Sequence, residues 1–152
     1  MFDEKVKVFR LRETAKVPTR AHTSDAGMDI FFAPENNEPT TIAPGQSAIL
    51  ATGIKMSVPS GMMLQIMNKS GVAAKKSLVT GACVVDKGYD GEIFVNLHNI
   101  GADIQTIEPG MKLAQCVFVN IGYPNMVEID EDKIYPRKTD RGDGALGSTG
   151  DR

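Results

Sequence analysis

Apolar and polar residues alternate along most of this chain in short runs that end at Gly, Pro or Asn. In the run Glu92–His98, for example, Ile93, Val95 and Leu97 fall on one face. A period of two is typical of β-strands with one buried face, and many short strands separated by turn residues indicate an all-β sandwich or barrel. The predicted strands are 5–9, 28–33, 46–52, 53–58, 62–67, 78–86, 92–98, 112–120 and 126–129.

A helical pattern is confined to Ser70–Lys76, which is long enough for about two turns. Turns are predicted where Gly follows Pro closely, at 44–45, 59–61 and 109–110, and also at Gly88 and at 122–124. The helix is therefore expected to be a minor element of a β protein.

The segment 135–152 differs from the rest because it is rich in Gly and poor in large aliphatic side chains. Such a segment cannot fold on its own hydrophobic content. It is either a disordered tail or an arm that becomes ordered over an anionic ligand, because glycines expose backbone N–H groups and Arg supplies forked donors. We predict a β domain at 1–134 and a flexible C-terminal arm at 135–152.

Composition limits the class of protein. A chain of 152 residues predicts one domain, and its net charge of -2 argues against a dedicated nucleic-acid binder. Cys83 and Cys116 lie in apolar runs, which indicates reduced, buried thiols, and two distant histidines argue against a structural zinc site. No signal peptide or membrane-spanning stretch is evident, so we expect a soluble, cytoplasmic protein with no membrane partner.

Three segments carry groups suited to a polyphosphate. Asn68–Val72 ends a strand and opens the short helix, where a cation, a hydroxyl and free amides favour anions. Residues 141–150 are Gly-rich with paired hydroxyls, although they form no Walker loop and their Arg-Gly-Asp tripeptide fits adhesion poorly in an intracellular protein. Gln115 is polar within a hydrophobic strand, and both a satisfied core amide and a ligand contact explain it.

Two carboxylates are candidates for chemistry. Asp86 follows Val84-Val85 at a strand-to-turn junction, where capping of the turn is the simpler explanation. Asp29 is flanked by large apolar residues, so it is expected to be partly desolvated and to need a cation or hydrogen bonds. Together with the anion-binding segments, these residues suggest metal-assisted phosphate chemistry.

The order of these segments resembles the trimeric dUTPase family over almost the full length of the chain. Its five motifs resemble Asp25-Ala-Gly-Met-Asp-Ile30, Asn68-Lys-Ser-Gly-Val-Ala73, Val84-Val-Asp-Lys-Gly-Tyr-Asp-Gly-Glu92, Pro109-Gly-Met-Lys-Leu-Ala-Gln115 and Arg141-Gly-Asp-Gly-Ala-Leu-Gly-Ser-Thr-Gly150. The resemblance implies a jelly-roll-like β-barrel, a homotrimer with active sites between subunits, and an arm that closes over a neighbour's nucleotide. It also implies hydrolysis of dUTP to dUMP and pyrophosphate.

Carried over position by position, the resemblance implies a role for each motif. Asp86 would activate a water for attack on the α-phosphorus, and Tyr89 would pack beneath the deoxyribose. Mg²⁺ would be held mainly by the substrate phosphates, with Asp29 supporting it through water. The substrate-binding residues would be Lys69, Ser70, Gly71, Thr80, Val84, Val85, Tyr89, Phe94, Gln115, Arg141, Leu146, Gly147, Ser148 and Thr149.

Four positions depart from the family pattern. Lys69 stands where Arg is usual, and it lacks the planar fork of a guanidinium. Leu146 stands where an aromatic residue usually stacks on uracil, a loss of about 1 kcal/mol on the scale of aromatic pairs. Thr80 replaces a frequent Asn, and Cys83 replaces a small Gly. The last three surround the base, so uracil selectivity is the property most affected.

Two other readings stay open. The related dCTP deaminases resemble this chain in several motifs, but they carry a Glu where this chain has Asn96, which cannot perform acid–base chemistry. A catalytically degenerate protein of this fold that binds regulatory partners is the second alternative. Lys69 and Leu146 favour it, whereas Asp86 and the complete phosphate-binding set argue against it.

Overall fold

The computed structural model describes residues 5–147 and 149–150. The chain divides into two compact units, Met1–Gly122 and Tyr123–Arg152. In the described part of the second unit, the regular element is a single 3₁₀ turn, Glu131–Lys133, where Lys133 forms an ion pair with Asp130. The boundary predicted between residues 134 and 135 stays a prediction.

Over residues 5–122 the chain forms eleven short strands and one helix. The strands are β1 (Val8–Arg10), β2 (Met28–Phe31), β3 (Thr40–Ile42), β4 (Ser47–Ala51), β5 (Ile54–Met56), β6 (Met62–Met67), β7 (Leu78–Thr80), β8 (Val84–Val85), β9 (Phe94–Asn99), β10 (Gln105–Ile107) and β11 (Lys112–Asn120). The helix α1 spans Ser70–Lys76, as the sequence predicts. The protein is mostly β, which confirms the fold class at that level.

Antiparallel pairing assembles the described strands into four sheets. The largest has the order β2-β11-β6-β8, the next has the order β4-β9-β7, and β1–β5 and β3–β10 are separate pairs. The central strand β11 has β2 on one side and β6 on the other, so Gln115 lies opposite both Asp29 and Met67. This register brings the first, second and fourth motifs to one place.

Alternation along the strands places the core as predicted. In and just before β9, Ile93, Val95 and Leu97 are buried, together with Asn99. The Asn99 amide is satisfied in the core, because its Nδ2 donates to the carbonyl oxygens of Ile42 and Asp103, both at 2.8 Å. The side chains on the opposite face of β9 lie outside this core.

The predicted strand 78–86 is wrong as a single element. Leu78–Thr80 pairs with β9, whereas Val84–Val85 pairs with β6, so the chain passes from one sheet to another between them. Gly81 lies at that crossing, where the backbone runs close to the side chains of β9. A single alternating run cannot reveal a change of sheet, because the pattern of apolar residues continues through it.

Two further strand predictions differ from the structure. Residues 126–129 are not a strand, and Met126 and Val127 are almost fully exposed, since an apolar run without a partner strand gains nothing by pairing. Strands β3 and β10 were not predicted, because three residues are too few for a period of two to be recognised. The predicted turns at 44–45, 59–61, Gly88 and 109–110 are confirmed, each with its Gly at positive φ, whereas the turn predicted at 122–124 is wrong.

The cysteines follow the prediction in part. Both thiols are free; Cys116 is buried and Cys83 is half-buried. Burial raises the pKa of the Cys116 thiol to about 11, so it stays protonated and unreactive. Within the described residues, the helices are too short and too polar to cross a lipid bilayer.

Candidate active site

A buried carboxylate between two lysines forms the first part of the site. Asp29 on β2 is only 6% exposed, and its oxygens contact the ammonium groups of Lys69 (2.6 Å) and Lys112 (2.8 Å). The predicted need of Asp29 for cationic partners is confirmed. Lys69 comes from the turn after β6 and Lys112 from the start of β11, so the ion cluster joins two neighbouring strands to β2.

Opposing effects act on the Asp29 carboxyl. Burial raises its pKa, while the hydrogen bonds and the charges of Lys112 and Lys69 lower it, and the net result is a pKa below the ordinary value. Asp29 is therefore ionised at neutral pH. One carboxylate against two ammonium groups leaves a local positive charge, and the Lys112 side chain remains about half exposed.

Gln115 lies beside this cluster. Its Nε2 donates to the carbonyl oxygen of Asn68 at 2.9 Å, and its side chain passes directly over Gly27. A Cβ at Gly27 would overlap the Gln115 amide, so the glycine is required for the side chain to lie there. Part of the Gln115 amide is thus satisfied within the fold, and the half-buried residue still reaches the surface.

Helix α1 begins next to the ion cluster. Lys69 precedes it in an extended conformation, and no side chain among the described residues caps its first turn, which contains no acidic residue. The first amides, those of Ser70 and Gly71, thus meet the surface beside two lysines. An uncapped helix start next to cations favours an anion.

A cavity of about 220 Å³ forms the second part of the site. The structure brings together there five residues that the sequence assigned to substrate or catalysis. These are Val84, Val85, Asp86, Tyr89 and Phe94, and the remaining walls come from Ile66, Ala82, Cys83, Glu92 and Ile93. The walls are largely apolar, and the exposed Asp86 supplies a carboxylate.

Tyr89 is positioned by its neighbours in the turn. Its hydroxyl donates to the carbonyl oxygen of Glu92 at 2.8 Å, and its ring lies against Gly91, where a Cβ would overlap it. Its own N–H donates to the carbonyl oxygen of Asp86 at 3.2 Å. The turn therefore holds the Asp86 backbone and the Tyr89 ring in one rigid unit.

Glu92 is part of this site, although the sequence places it at the end of the third motif and assigns it no role. Its carboxylate accepts two hydrogen bonds from the Arg12 guanidinium, at 2.6 and 3.1 Å, and one from the Gly53 N–H at 2.6 Å. Arg12 lies 80 residues away in the chain, and no local pattern links the two. This forked ion pair stabilises the wall of the cavity and the carbonyl group that orients Tyr89.

Asn68 connects Gln115, beside the ion cluster, to strand β7. Its Oδ1 accepts a hydrogen bond from the Thr80 N–H at 2.8 Å, and its carbonyl oxygen accepts the one from Gln115. The sequence places Asn68 in the second motif but assigns it no role. Thr80 participates through its backbone, so the loss of an Asn at position 80 leaves this connection intact.

The described residues of the segment 141–150 are largely exposed. Arg141 Nε donates to the carbonyl oxygen of Gly144 at 3.2 Å, Gly147 has φ +84°, and Leu146 is fully exposed. Thr149 is also exposed, and Ser148 lies outside the described residues. Their predicted contacts with phosphates and base stay predictions.

These features define a class of protein. A positively charged surface at an uncapped helix start suits a polyanion, and an apolar cavity bordered by an aromatic ring and a carboxylate suits a ring-shaped group next to a hydrolysable bond. A β protein with both features side by side has the site of a nucleotide hydrolase.

Comparison with known proteins gives the family. The sequence model of the family "dUTPase" matches residues 13–150. The deoxyuridine 5'-triphosphate nucleotidohydrolase of Mycolicibacterium vanbaalenii is 39% identical over 147 residues, covering 94% of this chain and 93% of its own length. That of Mus musculus is 36% identical, covering 95% of this chain and 85% of its own. The chain belongs to the dUTPase family.

Solved structures agree with this assignment. A mutant dUTPase of Staphylococcus bacteriophage 80alpha, crystallised with dUpNHpp, superposes with a TM-score of 0.86 at 27% identity, covering 96% of this chain and 98% of its own. A mutant dUTPase of phage phi11 of S. aureus, described with a structural Mg(II) ion, superposes with a TM-score of 0.77 at 28% identity, covering 84% of this chain and 98% of its own.

Proposed function

We propose that this chain is a dUTP diphosphatase that hydrolyses dUTP to dUMP and pyrophosphate. The observation that carries the proposal is the shared cavity of Asp86, Tyr89 and Phe94, in a chain that matches the dUTPase family over most of its length. Its exposed carboxylate can reach a water molecule, and its apolar walls can take a pyrimidine and a sugar.

In the proposed reaction, Asp86 accepts a proton from a water molecule as that water attacks the α-phosphorus. A bond forms between the water oxygen and the α-phosphorus, the bond to the bridging oxygen of the β-phosphate breaks, and pyrophosphate leaves. Hydrolysis of a phosphoanhydride depends mainly on positioning and neutralisation of charge. The rigid turn that joins Asp86 to Tyr89 supplies the positioning.

The triphosphate would lie across the positively charged part of the site. The proposed contacts are the Lys69 ammonium, the hydroxyl and amides at Ser70 and Gly71, and the amide of Gln115, joined from the arm by Arg141, Ser148 and Thr149. The local excess of positive charge around Asp29 supports this assignment, because it offsets part of the charge of the triphosphate.

Deoxyribose and base would occupy the cavity. Tyr89 would lie beneath the sugar, where a 2′-hydroxyl would clash, and the backbone of 80–86, including Val84 and Val85, would read uracil. Phe94 lines the same cavity, and Leu146 and Gly147 of the arm would cover the base. The ring of Phe94 is half-exposed, which supports this arrangement. It can offer the base an aromatic surface, whereas Leu146 of the arm can offer an aliphatic one.

Magnesium fits this site as a companion of the substrate. No group of three carboxylate, imidazole or thiol side chains among the described residues could hold a metal by itself, and Asp29 is already engaged by two lysines. We therefore propose that the phosphates bind Mg²⁺, with Asp29 nearby through water. Bound in that way, Mg²⁺ would neutralise charge on the phosphate oxygens.

The proposed assembly follows the family resemblance. Residues 1–134 would form the jelly-roll-like barrel, three copies would complete the active sites between them, and the arm 135–152 would close over a neighbour's nucleotide. dUTP would be the ligand, and neither nucleic acid nor membrane a partner, in a cytoplasmic enzyme.

The proposal is tested by measuring pyrophosphate and ammonia release from dUTP, dCTP, dTTP and UTP in the presence of Mg²⁺. We expect pyrophosphate from dUTP and little from the other nucleotides. Ammonia from dCTP would identify a deaminase, and pyrophosphate from dCTP an altered base specificity. No reaction with any nucleotide would contradict catalysis and favour a regulatory binding role.

A further inference from the structure

The side-chain amide of Asn96, on the outer face of β9, contacts two other segments and its strand neighbour His98. Its Oδ1 accepts a hydrogen bond from the Ala82 N–H (3.3 Å) and lies 3.0 Å from His98 Nε2. Its Nδ2 donates to the carbonyl oxygen of Ala48 at 3.2 Å. Asn96 therefore joins strand β4 to the crossing between β7 and β8.

These partners fix the orientation of the amide. Exchanging Oδ1 and Nδ2 would turn a donor toward the Ala82 N–H and an acceptor toward the Ala48 carbonyl oxygen, and both hydrogen bonds would be lost. Because Oδ1 can only accept, His98 must carry a proton on Nε2.

The same two side chains also restrict Gly81. The Gly81 N–H donates to the backbone oxygen of Asn96 at 2.9 Å, and a Cβ at Gly81 would overlap Asn96 Oδ1 and His98 Nε2. Two consecutive residues, Gly81 and Ala82, are thus held against β9. The chain then continues directly into the cavity, whose wall includes Ala82 and Cys83.

We propose that Asn96, supported by His98, is a positioning residue that fixes the backbone of 81–83 and thereby sets the discrimination between uracil and cytosine. This inference rests on the proposed function, in which that backbone reads the base. Uracil presents an acceptor at C4 and a donor at N3, whereas cytosine presents the reverse. A backbone held in one orientation leaves buried groups unpaired against the wrong base, whereas a loosened backbone can adapt.

The test compares kcat and KM for dUTP and dCTP, by pyrophosphate release, in the wild type and in Asn96→Val. The ratio of kcat/KM for dUTP to that for dCTP should fall about tenfold, mainly through a higher KM for dUTP, because the hydrogen bonds of the Asn96 amide to Ala82 and Ala48 are lost. Gly81→Ala keeps the Asn96 residue but places a methyl group against Asn96 Oδ1 and His98 Nε2, so it disturbs the same contacts from the other side and should lower the ratio in the same direction.

His98 provides a graded comparison. His98→Gln keeps a donor that can reach Asn96, so its dUTP-to-dCTP ratio of kcat/KM should stay close to that of the wild type. His98→Leu removes the donor, and its ratio should lie between those of the wild type and Asn96→Val. Asn120→Val is the matched control, because Asn120 is exposed at the end of β11 and lies outside the network of Asn96. It should leave the ratio unchanged.

Two outcomes would overturn the inference while leaving the proposed function intact. One is an unchanged ratio in both Asn96→Val and Gly81→Ala, even if their melting temperatures fall, which would make the network purely structural. The other is an equal change of the dUTP-to-dCTP ratio in His98→Gln and His98→Leu. A wild-type protein that releases no pyrophosphate from dUTP would instead contradict the proposed function, and this inference with it.

Discussion

At the scale of single residues, Asp29 combines burial with a double ion pair. Its pKa is depressed in the folded state, so it binds a proton less readily than in the unfolded chain. A depressed carboxyl pKa contributes stability above the unfolded pKa, near 3.8, and this contribution is lost as the pH falls through the lower, folded pKa. Asp29 should therefore stabilise the protein at neutral pH but not in acid.

This predicts a pH-dependent effect of Asp29→Asn. At pH 7 the substitution should lower the free energy of unfolding by about 1–3 kcal/mol, because Lys69 and Lys112 lose a partly buried counter-charge. Denaturant titrations between pH 7 and pH 2 should show the difference shrinking below pH 4. Asp90→Asn, which removes a largely exposed partner of Lys55, should have little effect. If Asp29→Asn still lowered the free energy of unfolding in acid, the ionised Asp29 would not be the source of this stability.

A second prediction concerns Asp86. Asp86→Asn keeps the shape of the side chain and removes its ability to accept a proton, so kcat for dUTP should fall by about 10²–10⁴. Binding of a non-hydrolysable dUTP analogue, measured by calorimetry, should change little. Asp90→Asn in the same turn is the control, and turnover of Asp86→Asn comparable to wild type would exclude Asp86 as the base.

At the scale of elements, the register of β2, β11 and β6 decides what meets at the phosphate-binding part of the site. Gln115 lies opposite Asp29 on one side and Met67 on the other, which places its amide next to the carbonyl group of Asn68. Gly27, just before β2, leaves the room that this side chain occupies. The glycine of the first motif is thus required by the glutamine of the fourth.

This contact predicts that Gly27→Ala acts through Gln115. The new methyl group should displace the Gln115 amide and raise KM for dUTP about tenfold. In a double-mutant cycle, Gly27→Ala should add nothing to Gln115→Ala, because the side chain it displaces is already absent. Additive effects on KM would show that Gly27 acts by another route.

At the scale of the whole molecule, the two units differ in how many buried residues they contain. The buried apolar residues of the described chain fall between Ala15 and Cys116, and the described residues after 122 are almost all exposed. The first unit therefore has a core of its own, whereas the described C-terminal residues have no buried side chain. An arm that acts only when substrate is bound is compatible with this division.

Deleting residues 141–152 should separate catalysis from stability. We expect kcat/KM for dUTP to fall about a hundredfold, because phosphate contacts and water exclusion are lost. The melting temperature should shift by less than about 4 °C, since no core residue is removed. A truncated protein that unfolds, or that turns over dUTP normally, would contradict the arm assignment.

Much of the molecule follows from the sequence by itself. Alternation in and before β9 predicts that Ile93, Val95 and Leu97 are buried, and the segment Ser70–Lys76 predicts the helix with its observed bounds, because both patterns depend on residues close together in the chain. The order of five motifs indicates the family. The apolar neighbours of Asp29 predict that it needs a cationic partner.

Only the tertiary structure decided which residues meet. It supplied Lys69 and Lys112 as the partners of Asp29, divided 78–86 between two sheets, and joined Arg12 to Glu92 and Asn96 to Ala82. Each of these contacts depends on strand register and on the crossing between sheets, so it links positions that share no local pattern. The chemistry of each residue is thus readable from the sequence, whereas the arrangement that makes a site arises from pairing between distant strands.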